Sequence, residues 1–105
     1  MAKAITDELF PQEVEQAKGV VFVDFWADWC GPCRMMAPVF EKIAAKYPQI
    51  KFCKVDTTAN MQKAGEYGVS GIPCIIVFKD GKEVNRLVGF RPEADFEKEV
   101  KKYAV

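Results

Sequence analysis

The residues of this chain best suited to chemistry are two cysteines separated by a glycine and a proline, in the segment Cys30-Gly31-Pro32-Cys33. The segment lies between an apolar stretch that predicts a strand and an amphipathic stretch that predicts a helix. Thiols in the first turn of a helix face its unpaired N–H groups and the positive end of its dipole, which favour the reactive thiolate. The placement therefore predicts thiol–disulfide exchange.

The two motif cysteines need different roles in such an exchange, because one thiolate attacks a disulfide and a second thiol resolves the mixed disulfide. We expect the sulfur of Cys33, three residues into the predicted helix, to be the more buried, so Cys30 attacks and Cys33 resolves. The alternative is a metal site, which needs four ligands. Since the chain has no histidine, Cys53 and Cys74 would have to complete it, and they form no second Cys-x-x-Cys pair. We therefore expect no bound metal.

A buried acid is predicted just before the motif. Asp24 lies within residues 20–27, where β-branched and aromatic residues occupy both alternating faces, as in a central strand that is covered on both sides. Burial there would raise the pKa of Asp24 toward the range of a general base for the resolving thiol. The alternative is an Asp24 at the strand end that is solvated or paired with a lysine.

Hydrophobic periodicity and turn residues predict the remaining elements. Three strands are expected over residues 2–5, 20–27 and 50–56, and two more over residues 74–78 and 82–88 around an Asp80-Gly81 turn. Four helices are expected. The first runs from Thr6 or Asp7 to residues 18–19, and the second follows the cysteine motif. The third covers residues 59–67, and the fourth begins at residues 91–92. On the long second helix, Glu41, Lys42 and Lys46 are expected to face away from the core.

The order β-α-β-α-β-α-β-β-α predicts an α/β fold with a central mixed sheet flanked by helices on both faces. No repeat or linker divides the chain, so we expect one domain over residues 1–105.

Composition argues against several other classes of function. Fifteen basic and fifteen acidic residues give zero net charge, and no basic stretch predicts nucleic-acid binding. No apolar stretch is long enough to cross a bilayer, and the first residues lack the apolar region of a signal peptide. We therefore expect a cytoplasmic protein, and in that reducing compartment four cysteines are a poor sign of structural disulfides.

The segment Val23-Asp24-Phe25-Trp26-Ala27-Asp28-Trp29-Cys30-Gly31-Pro32-Cys33 closely resembles that of the thioredoxin family. A Cys-x-x-Cys pair beside a βαβ pattern is already typical of thioredoxin-like proteins, and the full string is far more specific. The resemblance continues through Pro38, Lys54, Gly71-Ile72-Pro73, Asp80-Gly81 and Val88-Gly89 and so covers essentially the whole chain. It implies the thioredoxin fold.

The resemblance also implies roles for residues outside the dithiol. Pro73 is similar to the family's cis-proline, which lies against the dithiol, although spacing alone leaves the cis and trans forms open. Lys54 is similar to the lysine near the buried aspartate, and Trp29 is expected at the rim around the Cys30 sulfur. The implied substrate-docking surface consists of Trp29, Gly31, Pro32, Gly71, Ile72, Pro73 and Gly89.

The activity implied by the resemblance is that of a protein-disulfide reductase, an electron carrier that binds no cofactor and uses a Cys30–Cys33 disulfide as its redox group. The implied partners are a flavin-containing thioredoxin reductase that draws on NADPH, and clients such as ribonucleotide reductase, methionine sulfoxide reductases and peroxiredoxins. We expect a monomer. An oxidase or isomerase, and a non-catalytic binding subunit that uses the surface around Trp29 and Pro73, stay open as alternatives.

Three residues depart from the family pattern. Ser70 stands where arginine is common, which suggests a different choice of clients, and Arg34 replaces a frequent lysine but keeps its charge. Cys74 stands where threonine is common, and it either lies near the dithiol and forms mixed disulfides or begins a buried strand as a small apolar residue. We favour the second interpretation, and we likewise expect Cys53 to be buried and inert.

Overall fold

Five strands form one mixed sheet in the computed structural model, which describes residues 2–104. The strands are β1 (Lys3–Ala4), β2 (Val20–Trp26), β3 (Lys51–Asp56), β4 (Cys74–Lys79) and β5 (Lys82–Val88). Their spatial order is β1-β3-β2-β4-β5, with β1, β3 and β2 parallel and β4 antiparallel to both β2 and β5. This is the predicted mixed sheet; Met1 and Val105, the ends of the predicted domain, lie outside the described residues.

Helices cover both faces of the sheet. The helical segments are a π-helix (Pro11–Glu15), α1 (Gly31–Lys46), α2 (Gln62–Glu66) and α3 (Glu93–Lys101). Buried side chains of α1 and α3 form one apolar layer with Phe22 of β2, whereas the π-helix and α2 form a second layer with Val23 and Phe25 on the opposite face. No helix in the described part of the chain is long and apolar enough to cross a membrane.

The central strand β2 shows why both faces had to be apolar. Phe22 stacks on Phe52 of β3 with ring centroids 5.2 Å apart and meets the edge of Phe96 of α3 at 6.0 Å. Successive strand residues point to opposite faces, so Asp24 follows Phe22 onto the side that α1 covers. The strand ends at Trp26, and α1 begins at Gly31, which puts the motif at the carboxyl end of β2.

The first predicted helix is wrong in kind. Phe10 and Val14 are buried at the predicted spacing, but residues 11–15 form a π-helix, in which the Gln16 N–H donates to the Pro11 carbonyl at 2.8 Å. Pro11 has no N–H with which to continue the turn that precedes it, so it occupies the first position of a new segment. The remaining predicted elements are present, with ends that differ by up to three residues.

The two candidate caps of that first helix act at different places. Thr6 Oγ1 accepts the Leu9 N–H at 3.3 Å and so caps its own turn. The Asp7 carboxylate instead accepts the N–H groups of Gln62 and Lys63, at 3.0 and 2.9 Å, and caps α2. This long-range cap coincides with the start of α2, which is shorter than the predicted helix over residues 59–67.

Candidate active site

The motif cysteines form a disulfide at the amino end of α1. Cys30 is the N-cap residue of this 16-residue helix, and its Sγ accepts the backbone N–H of Cys33 at 3.2 Å. Pro32 occupies the first helical turn, where its missing N–H costs no hydrogen bond. A thiolate on Cys30 would therefore be stabilised by a backbone N–H group and by the positive end of the helix dipole.

The two cysteines differ less in exposure than we expected. Cys33 is the more buried, as predicted, but in this disulfide form the residues are 5% and 2% exposed for Cys30 and Cys33 respectively. Their surroundings distinguish them more clearly. The Cys30 sulfur lies 3.6 Å from the carbonyl oxygen of Ile72 and follows the 72% exposed Trp29, whereas Cys33 lines a partly open cavity together with Asp24.

The loops at the start of β4 and the end of β5 complete the surface around Cys30. The Ile72–Pro73 peptide bond is cis, and the Gly89 N–H donates to the Pro73 carbonyl at 2.8 Å. Gly89 has a φ of 92°, a conformation that favours glycine. At Gly71, an added Cβ would lie 3.3 Å from a Val88 methyl group, so the Val88 side chain would have to shift by a few tenths of an ångström to admit a larger residue. The structure thus brings the predicted docking residues from three segments to one end of the sheet.

Asp24 lies in the middle of β2, directly opposite Lys54 of β3 and Ile75 of β4, and is 3% exposed. Its Oδ1 atom accepts no hydrogen bond from the residues that the structure describes. Burial raises the pKa of Asp24 to about 7; the Lys54 ammonium opposes the rise, and the Glu41 carboxylate adds to it. The alternative of a solvated Asp24 at the strand end is therefore wrong, and Asp24 has no hydrogen bond to a lysine.

A cavity of about 70 Å³ connects the acid to the dithiol. Its lining consists of Asp24, Trp26, Cys33, Ala37, Phe40, Glu41 and Lys54. The indole Nε1 of Trp26, like Asp24 Oδ1, is buried and has no hydrogen-bond partner among residues 2–104. The cavity therefore combines a donor, an acceptor and the resolving-thiol candidate in a space large enough for water molecules.

Glu41 is a part of this site that the sequence reasoning missed. Its Oε2 lies 3.1 Å from Lys54 Nζ, and its Oε1 accepts the Ala2 backbone N–H at 3.0 Å. The Glu41 side chain is 35% exposed and lies outside the apolar core, as predicted, but it also lines the cavity, which the prediction did not foresee. A signal was present, because Cys33, Ala37 and Glu41 are spaced i, i+4, i+8 and so share one face of α1.

Arg34 also does more than keep a surface charge. Its guanidinium donates a 2.7 Å hydrogen bond to the carbonyl of Asp28, in the loop between β2 and Cys30. The side chain therefore ties the first turn of α1 to the loop that carries Trp29. Ser70, the other polar departure, is exposed.

The two remaining cysteines are free thiols that belong to a different apolar cluster from the dithiol. Cys53 and Cys74 are buried, at 0% and 1% exposed, in the apolar layer on the sheet face opposite Asp24. Burial raises the pKa of Cys53 to about 11 and also raises the pKa of Cys74. Within residues 2–104, no group of three or more cysteine, aspartate or glutamate side chains is arranged to hold a metal ion.

Comparison of the sequence with known proteins identifies the family to which the chain belongs. The sequence profile named Thioredoxin matches residues 1–102. The chain is 49% identical over 94 residues to "Thioredoxin 1" of Synechococcus elongatus, covering 89% of this chain and 88% of the relative. It is 42% identical over 104 residues to "Thioredoxin" of Listeria monocytogenes, covering 98% of this chain and 99% of the relative. It is 43% identical over 99 residues to "Thioredoxin" of Bacillus subtilis, covering 93% of each chain.

The burial of Asp24 predicts a pH-dependent cost to stability. Because the pKa of Asp24 is about 7 in the folded chain against an ordinary value of 3.8, the folded state holds the proton more tightly than the unfolded state. Its contribution to the free energy of unfolding is full below about pH 4 and is lost as the pH rises to 7, by about 4 kcal/mol at most. We expect Asp24→Asn to lack this loss, so that the variant gains stability over the wild type across that range.

Urea unfolding of the disulfide form at half-unit steps between pH 4 and 8 measures this difference. The exposed Asp95→Asn is the matched control and should stay within about 1 kcal/mol of the wild type at every pH, because the acid it removes lies in the first turn of α3. A difference between wild type and Asp24→Asn that does not change with pH would show that the carboxyl group is not perturbed by burial.

Proposed function

The chain belongs to the thioredoxin family, and from this membership and the geometry of the site we propose that it reduces disulfides in other proteins. It is a dithiol–disulfide oxidoreductase, and the Cys30–Cys33 pair is its redox centre. The proposal adds the direction of electron flow and the role of each residue. The observation that carries it is the unequal placement of the two sulfurs, one at a helix N-cap beside a docking surface and one on the Asp24 cavity.

The first step uses the sulfur at the N-cap. In the reduced protein, the Cys30 thiolate attacks one sulfur of a client disulfide, the client S–S bond breaks, and the second client sulfur leaves as a thiolate. A Cys30–client mixed disulfide forms. The position of Cys30 supports this role, because the N–H of Cys33 and the positive end of the helix dipole would both stabilise a negative charge on its sulfur.

The second step uses the sulfur on the cavity. The Asp24 carboxylate accepts the proton of the Cys33 thiol, directly or through cavity water, and the Cys33 thiolate then attacks the Cys30 sulfur. The mixed disulfide breaks, the client leaves as a thiolate, and the Cys30–Cys33 disulfide forms. Two electrons have passed to the client and the proton is on Asp24. A base with a pKa of about 7 suits this transfer, because it is half ionised at neutrality.

The surface around Cys30 is proposed to bind the client chain. Trp29 supplies exposed apolar area, and the Ile72 carbonyl lies beside the Cys30 sulfur, where it can accept a backbone N–H from an extended client segment. Gly31, Pro32, Gly71, Pro73 and Gly89 complete the proposed surface. The small residues among them allow the client backbone a close approach to the sulfur.

Members of this family act with a reductase that resets the disulfide and with disulfide-containing clients. For this chain we propose an NADPH-dependent flavoprotein, thioredoxin reductase, as the reductase. The proposed clients are ribonucleotide reductase, methionine sulfoxide reductases and peroxiredoxins. The cysteine pair is proposed to be the whole redox group, without a bound cofactor, in a monomer that works in the cytoplasm, where the glutathione and thioredoxin systems keep thiols reduced.

The roles of the two cysteines predict opposite defects. Cys30→Ser should abolish the turnover of a disulfide-containing substrate such as insulin with dithiothreitol as the electron donor, because no attacking thiolate is left. Cys33→Ser should trap a covalent complex with the substrate that reducing agent releases on a gel and that mass spectrometry assigns to Cys30.

Cys53→Ala is the control for this experiment, because it alters a buried cysteine on the other face of the sheet and should keep full turnover. Full turnover by Cys30→Ser would overturn the assignment of the nucleophile. If the protein kept its biological activity with both Cys30 and Cys33 changed to serine, the result would instead support a non-catalytic binding subunit.

The direction of electron flow predicts the reduction potential of the Cys30–Cys33 pair. We expect a value close to the one known for thioredoxin itself, about −270 mV, measured against glutathione buffers with alkylation and mass spectrometry of each thiol. A value of about −180 to −120 mV would identify an oxidase or isomerase instead. The same spectra show whether Cys53 and Cys74 stay reduced, as their burial predicts.

A further inference from the structure

The cation nearest to Asp24 is bound to a different carboxylate. Lys54 lies directly opposite Asp24 in the parallel register of β2 and β3, and both residues line the cavity. The Lys54 ammonium nevertheless lies 3.1 Å from Glu41 Oε2, while Asp24 Oδ1 has no hydrogen-bond partner in the described part of the chain. The ammonium is therefore held by the carboxylate of Glu41 rather than by the buried acid.

Glu41 is itself fixed in place by the chain. Its second oxygen accepts the backbone N–H of Ala2 at 3.0 Å, which joins α1 to the residue before β1. Partial burial of Glu41 favours its neutral form, but the hydrogen bonds from Ala2 and Lys54 outweigh it and hold the pKa of Glu41 below its ordinary value. Glu41 is thus ionised throughout the pH range in which Asp24 titrates.

We propose that Glu41 is a positioning residue of the resolving step: it holds the Lys54 ammonium away from Asp24 and so keeps the Asp24 carboxylate available to the Cys33 thiol. This inference rests on the proposed role of Asp24 as the base. The inference adds a role for Glu41, whose side chain lines the cavity but takes no part in the two proposed steps of the reaction.

The physical argument concerns the groups that face Asp24 from each packed element. These are Lys54 from β3, Glu41 and Cys33 from α1, Trp26 from β2 and the apolar Ile75 from β4. An ammonium that paired with Asp24 would stabilise the carboxylate and occupy an oxygen that must accept the thiol proton. The acid would then ionise at lower pH and would be the weaker base.

The test is the Glu41→Gln variant, which keeps the size of the side chain and an oxygen for the Ala2 N–H but removes the charge that holds Lys54. Reduced protein is mixed with an excess of a small peptide disulfide, and decay of the Cys30 mixed disulfide is followed by quenched flow, alkylation and mass spectrometry between pH 5 and 9. We expect the midpoint of the decay rate to fall by about one pH unit, with a several-fold lower rate above the midpoint.

Loss of the Glu41 charge would also lower the midpoint directly, because that charge repels the Asp24 carboxylate. A double-mutant cycle with Lys54→Met separates this direct effect from the effect of releasing Lys54. If Glu41 acts by holding Lys54, most of the effect of Glu41→Gln disappears in the Lys54→Met background. An equal shift in both backgrounds, or no shift in either, would overturn the proposal. Glu93→Gln is the matched control, since it breaks another α1 ion pair, with Lys42 at 3.2 Å, and should leave the profile unchanged.

The Asp24→Asn variant in the same assay distinguishes an error in the role of Glu41 from an error in the proposed role of Asp24. Loss of the midpoint in Asp24→Asn together with an unshifted Glu41→Gln would refute only the role of Glu41. An Asp24→Asn variant with the wild-type profile would refute Asp24 as the base and, with it, the role of Glu41. The reduction of client disulfides itself would stand, because the Cys30→Ser variant tests it separately.

Discussion

The burial of one carboxyl group in the middle of the central strand is the constraint on which the rest of the site depends. Asp24 is almost completely removed from water by the helices on one face of the sheet and by its neighbours in the strand. A carboxylate in such a place is costly, so the group holds its proton up to about neutral pH. The apolar alternation of β2, which stabilises the sheet on both faces, is thus also what gives the acid its unusual chemistry.

The same strand and helix create two environments for two identical functional groups. Because β2 leads through a short loop into α1, Cys30 takes the N-cap position and Cys33 lies almost one turn further along the helix. The Cys30 sulfur therefore meets the backbone N–H of Cys33 and the docking surface, and Cys33 meets the cavity of the buried acid. A spacing of three residues on a helix is enough to divide attack from resolution, without a histidine anywhere in the chain.

Much of this arrangement could be predicted, because its causes are local in the sequence. The alternation of residues 20–27 predicts the buried strand and the face of Asp24, and the Asp80-Gly81 turn, with φ of 51° and 84°, forms the expected hairpin. The unpredicted features come from long-range contacts. The cap that Asp7 provides for α2 joins residues 55 and 56 positions apart, and the Ala2 amide that holds Glu41 lies 39 positions away. Periodicity alone also could not distinguish a π-helix from an α-helix over residues 11–15, since both bury Phe10 and Val14.

The central claim is that Asp24 changes charge near neutral pH, and a direct titration of that one carboxyl group tests it. The side-chain carboxyl carbon of Asp24, assigned by its absence in Asp24→Asn, can be followed by NMR in the disulfide form from pH 3 to 10. We predict a midpoint close to the value of about 7 that burial imposes. A midpoint close to the ordinary value of 3.8 would contradict the account, because Asp24 would then be a fully ionised and poor base at neutral pH.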